Sequence, residues 1–72
     1  MTSEREVHEA CKVIVANQDS KALNWCVNYA RAALSMSGEA LRVQVPYVLN
    51  NMTHWRGEEA RRVRAMLKSF VQ

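Results

Sequence analysis

Hydrophobic residues recur three and four positions apart along most of this chain, the spacing that lines side chains up on one side of an α-helix. Val7, Ala10, Cys11 and Ile14 form the first such stripe. Ser3 and Glu6 stand ahead of it at capping-box spacing, so a first helix is predicted from Ser3 to about Asn17. The run Val13-Ile14-Val15 would also suit a short strand, but the cap and the upstream charges favour helix. Asn17-Gln18-Asp19-Ser20 is a polar break in which Asp19 or Ser20 is expected to cap the next helix. That second helix is predicted over roughly Lys21–Ser35, with Gly38 as its C-terminal cap. It carries two apolar faces. Leu23, Cys26, Val27, Ala30 and Leu34 lie on one, and Trp25, Tyr29, Ala32 and Met36 on the other. A helix apolar on two sides is either central in a bundle or shares its second side with another molecule.

The third segment has two readings. Leu41, Val45, Val48, Leu49 and Met52 share a helical face, whereas Leu41, Val43, Val45 and Tyr47 also alternate as a strand would. Pro46 sits between them, and a proline inside a helix costs about 3 kcal/mol unless it opens a new helical turn. The prediction is a helix from about Glu39 to Met52, kinked or restarted at Pro46. The fourth helix is expected from about Gly57 to Phe70. Glu58 and Glu59 lie near its positive N-terminal end, and Ala60, Val63, Met66, Leu67 and Phe70 form its apolar seam. The fold class is therefore all-α, one compact bundle of four short helices in a single domain spanning residues 1–72.

Composition sharpens this picture. Of the 72 residues 49% are hydrophobic, with only two Gly and one Pro, which argues against disorder. So short a chain is expected to hide only part of that apolar surface and to associate with a second copy or another protein. The net charge of +3 is unevenly spread. Residues 1–20 hold four carboxylates against two cations, and residues 56–72 hold five cations against two carboxylates. Such a split suits packing of the first helix on the last, or an anionic partner. No apolar run is long enough to cross a bilayer, and charges occupy the N-terminal stretch where a signal peptide needs oil, so a cytoplasmic location is expected. Cys11 and Cys26 have no metal-ligand or disulfide spacing and read as small core hydrophobes.

Residues 47–64, Tyr-Val-Leu-Asn-Asn-Met-Thr-His-Trp-Arg-Gly-Glu-Glu-Ala-Arg-Arg-Val-Arg, resemble a run in small uncharacterised helical proteins of phages, prophages and mobile elements. The likeness extends over residues 22–70, with an alanine-rich helix bearing a Tyr, a further helix, a Trp-Arg turn and a charged helix. Pro46 departs from that pattern. The resemblance implies an all-helical fold and an accessory role, and it supplies no catalytic residue.

Two surfaces are candidates for function. Trp25, Tyr29 and Met36 are the expected protein-interface residues on the second side of helix two. Trp55, Arg56, Arg61, Arg64 and Lys68 are the nucleic-acid candidates, an aromatic beside a cationic stripe that could follow a phosphate backbone. Trp55 reads more simply as the anchor of the turn before helix four. The stripe is open to partial neutralisation by Glu58 and Glu59 at helical spacing. A helix-turn-helix reading of helices two and three is weak, because the would-be reading helix has one basic residue, Arg42. Neither a Gly-rich phosphate loop nor a nucleophile beside a base can be placed, and His8, Cys11, Cys26 and His54 match no metal module. The expectation is a non-enzymatic, cofactor-free and metal-free interaction protein, a homodimer or a binder of another protein. Nucleic-acid binding through the last helix is the alternative.

Overall fold

Ser3 begins the first helix as its sequence demands. In the computed structural model, which describes residues 2–72, α1 runs Glu4–Ala16. Ser3 Oγ accepts from the Glu6 amide at 3.2 Å, and Glu6 Oε1 accepts from the Ser3 amide at 3.0 Å. The amide and hydroxyl of Ser3 hold the Glu6 carboxyl below its ordinary range. A 3-10 turn, Lys21–Leu23, leads into α2 at Asn24–Ala33. Neither Asp19 nor Ser20 caps α2 with its side chain. The Ser20 carbonyl instead accepts the Leu23 amide, and the 3-10 turn takes the place of a side-chain cap.

Helix two is shorter than its periodicity suggests. The amides of Leu34, Ser35 and Met36 each reach back three residues, to the carbonyls of Arg31, Ala32 and Ala33. Those tightened bonds satisfy the last carbonyls, so no C-terminal glycine is needed. Gly38, expected as that cap, is instead the first residue of α3 (Gly38–Asn50), with φ +57°. The strand readings at residues 13–15 and 41–47 are both resolved as helix. α3 runs as one element through Pro46, whose ring is exposed. The hydrogen bond that Pro46 cannot give to the Arg42 carbonyl is therefore lost on the solvent side, where water can replace it. α4 spans Glu58–Val71 and starts from Gly57 at φ +115° and ψ 176°. That is backbone space essentially reserved for glycine.

The four helices close a ring of contacts, with α1 and α3 each packed on α2 and α4. Ile14, Leu23, Leu41, Val45, Met52 and Leu67 are among the side chains sealed in the middle. The radius of gyration, 10.6 Å, is close to the roughly 11 Å of a well-packed chain this long, so the chain builds its own core. That core takes up most of the apolar excess. Among the described residues, the large hydrophobics it leaves outside are Trp25, Val43 and Tyr47. α1 does pack on α4, yet not through charge. Among the described residues the one ion pair is Glu9–Lys12, 3.6 Å apart within α1. Asn17 Nδ2 donating to Glu59 Oε1 at 3.1 Å is a polar tie between the end of α1 and the start of α4. Among the described residues no helix is long and apolar enough to cross a membrane.

The two glycines provide a check on this architecture. Open space surrounds both, so an added methyl meets nothing and any cost comes from the backbone. Gly38→Ala, in the ordinary left-handed region, should cost about 1 kcal/mol. Gly57→Ala should cost more, about 2–3 kcal/mol, and a domain this size loses roughly 4–8 °C of melting temperature per kcal/mol. Thermal unfolding followed by circular dichroism reads both, and equal shifts would contradict the Gly57 geometry.

Candidate functional site

The outer side of α2 and α3 is where the fold leaves apolar groups uncovered. Trp25 and Tyr29 stand one turn apart on α2, and Val43 and Tyr47 one turn apart on α3. Trp25 is 65% exposed, Val43 54% and Tyr47 52%. Tyr29 is half-buried and stacks on Tyr47, with ring centroids 5.8 Å apart and planes 17° from parallel. Two carboxamides brace this pair. Gln44 Nε2 donates to the Tyr29 carbonyl at 3.0 Å, and Asn51 Nδ2 to the Tyr47 carbonyl at 2.8 Å. Of the residues singled out in the sequence, Trp25 and Tyr29 do share this face. Met36 does not belong to α2. It lies in the link beyond, half-buried against the core, with its carbonyl 2.8 Å from His8 Nε2. Val43 and Tyr47 carried a signal, their four-residue spacing off the buried stripe, but it was masked by the strand-like alternation of residues 41–47.

The cationic candidates are split by the fold. Trp55 is buried, and its amide donates to the Met52 carbonyl at 3.1 Å, so its ring anchors the turn and is no stacking platform. Arg64 folds back over that turn. Its Nη2 donates to the carbonyls of Met52 and Trp55, both at 2.9 Å. Carbonyls just beyond a helix need donors, and a planar guanidinium can serve two at once. Arg64 is thereby removed from the expected stripe. Arg56, Arg61 and Lys68 remain exposed. Among the described residues they have no acidic partner within 4.0 Å, and Glu58 and Glu59 form none of the pairs their spacing allowed. Arg42, the one basic residue of α3, is also engaged. Its Nη1 donates to the Phe70 carbonyl at 2.8 Å and its guanidinium lies 5.4 Å over the Phe70 ring.

The remaining chemistry is quiet. Cys11 and Cys26 are buried free thiols, and Cys26 Sγ donates to the Val48 carbonyl at 3.3 Å. Burial pushes the Cys11 thiol up to about 11 and that of Cys26, which also feels Cys11, up to about 12. Both therefore stay protonated at neutral pH and supply no thiolate. Among the described residues no three His, Cys, Asp or Glu side chains gather as metal ligands would. A cleft of about 420 Å³ opens beside Glu4, Gly38, Arg42 and Phe70, but these groups already bond one another within the fold. Comparison with protein-family models, with curated proteins and with solved structures gives no match.

Two outcomes test this division of roles. Arg64→Ala should lower the unfolding free energy by about 1.5–3 kcal/mol in urea titration, whereas Arg61→Ala should stay within about 0.5 kcal/mol. The raised thiols give the second. Their stabilising contribution is complete below the ordinary thiol value of 9.0 and is lost as pH climbs toward about 11, because the unfolded chain ionises first. Thiolate absorbance of native protein should therefore rise only well above pH 9.0. A native thiol titrating near neutrality would refute the buried placement.

Proposed function

We propose that this chain is a non-enzymatic helical interaction module whose contact surface is the outer side of α2 and α3. The observation that carries this reading is that Trp25, Val43 and Tyr47, the exposed large hydrophobics among the described residues, stand on these two helices. Scattered exposed apolar residues are ordinary, but a braced aromatic pair flanked by two more large hydrophobics is a contact patch. The partner is another protein, in the simplest case a second copy. Three such side chains expose on the order of 300 Å², well under the roughly 800 Å² per partner of a standard interface. The dimer is accordingly a weak and reversible one. The resemblance of residues 22–70 to small phage and mobile-element proteins supports an accessory role in that setting. A second reading, nucleic-acid binding along α4, is favoured by one observation, that Arg56, Arg61 and Lys68 are exposed with no acidic partner among the described residues.

Sedimentation equilibrium across a wide concentration range tests the leading reading. Wild type should pass from monomer toward dimer as concentration rises, and Val43→Asp should remain monomeric with unchanged helix content. A wild type that stays monomeric at the highest concentration removes the homodimer.

A further inference from the structure

Next to this contact face, between the start of α2 and the end of α3, lies a notch of about 300 Å³. Its walls include Lys21, Trp25, Asn50, Asn51, Thr53 and His54. The combination is chemically specific: one open indole, an ammonium, an imidazole, two carboxamides and a hydroxyl. No carboxylate lines the notch, and Asp19, two residues before Lys21, is not among its walls. Lys21 is exposed, and among the described residues it has no acidic partner within 4.0 Å. Asn51 spends its amide on the Tyr47 carbonyl and keeps its carbonyl oxygen as an acceptor, while the Asn50 side chain is exposed.

We propose that this notch holds single-stranded nucleic acid, with one base stacked on Trp25 and the adjoining phosphate against Lys21. Each element answers to a need of such a strand. A base that is not in a duplex offers an open π-face, and an exposed indole is the strongest stacking surface the chain has. Its polar edge requires donors and acceptors in the plane beside the ring, which carboxamides supply. Its phosphate requires a cation with no competing carboxylate, and Lys21 meets that condition, with exposed Arg56 two residues beyond His54. The volume lies at the lower end of ligand sites, suited to one nucleotide rather than to a folded segment. A peptide would want a deeper apolar floor than these polar walls provide.

The inference goes beyond the dimer reading and shares only Trp25 with it. Val43→Asp strikes the dimer band and spares the notch, whereas Lys21→Ala does the reverse, so either can fail alone. The experiment is fluorescence anisotropy of a labelled oligothymidine strand of about 12 nucleotides at low salt, with its duplex as control. Trp25→Ala should weaken binding about tenfold to a hundredfold, and Trp25→Phe, which keeps a ring, should restore most of it. Lys21→Ala should reduce the slope of log affinity against log salt by about 0.7. Val43→Asp should bind as wild type does. Circular dichroism confirms that each variant is folded, and exposed Trp25 and Lys21 leave the core intact. Three results would overturn the proposal: no binding at low salt, equal binding of strand and duplex untouched by Trp25→Ala, or loss confined to Arg61→Ala and Lys68→Ala, which would put the strand on α4.

Discussion

Four short helices in 72 residues bring eight helix ends, each with backbone groups its own helix cannot satisfy. This chain meets that constraint partly with local caps and turns and partly with side chains borrowed from other helices. Glu4 at the head of α1 accepts from the Gly38 amide at the head of α3, at 2.8 Å. His8 of α1 reaches the Met36 carbonyl in the link that follows α2. Arg42 of α3 donates to the Phe70 carbonyl near the tail of α4, and Arg64 of α4 donates to the carbonyls of Met52 and Trp55 beyond α3. The first and third of these bonds satisfy helix termini, the others reach carbonyls in the links, and all of them join segments distant in the chain. The ring of contacts around Ile14, Leu41 and Leu67 is thus fastened at its rim, while the core holds no buried polar side chain among the described residues.

That economy shapes the surface. Polar groups that tie the termini are no longer open to a partner, and this divides the basic residues into two sets. Arg42 and Arg64 belong to the architecture, and Arg56, Arg61 and Lys68 to the solvent. On the outer side of α2 and α3 the braces are carboxamides instead, Gln44 and Asn51, which bond the Tyr29 and Tyr47 backbones and leave the rings to stack, Tyr47 exposed and Tyr29 half-buried. The apolar band and the notch beside Trp25 adjoin a helix pair whose tie to one another, Gln44 to the Tyr29 carbonyl, consumes no charge. A contact surface and a small polar recess are what this face can offer.

Much of the architecture was legible in the sequence because it rests on local rules. The Ser3–Glu6 box, the stripe Val7-Ala10-Cys11-Ile14 and the seam Ala60-Val63-Leu67 are each set by residues within a turn or two of one another. The second helix was read too long because Leu34 continues its periodicity. Bonds three residues back end it at Ala33, and no residue type announces them. Gly38 illustrates the same limit. Its freedom at positive φ was anticipated, but whether that freedom ends one helix or starts the next depends on the Glu4 carboxylate thirty-four positions earlier.

The candidate site was legible only in part, for a related reason. Helical spacing put Trp25 and Tyr29 on the far side of α2, and a far side facing solvent is a property of one helix. Tyr47 stacking on Tyr29, Trp55 turning inward and Arg64 leaving its stripe all depend on which helix lies opposite. By itself the sequence determined the helices, their apolar faces and the existence of a second greasy side on α2, since these follow from periodicity and caps. Only the tertiary structure decided which cations are consumed at helix ends and which rings stay bare. Those outcomes arise where distant segments meet and compete for the same open backbone groups.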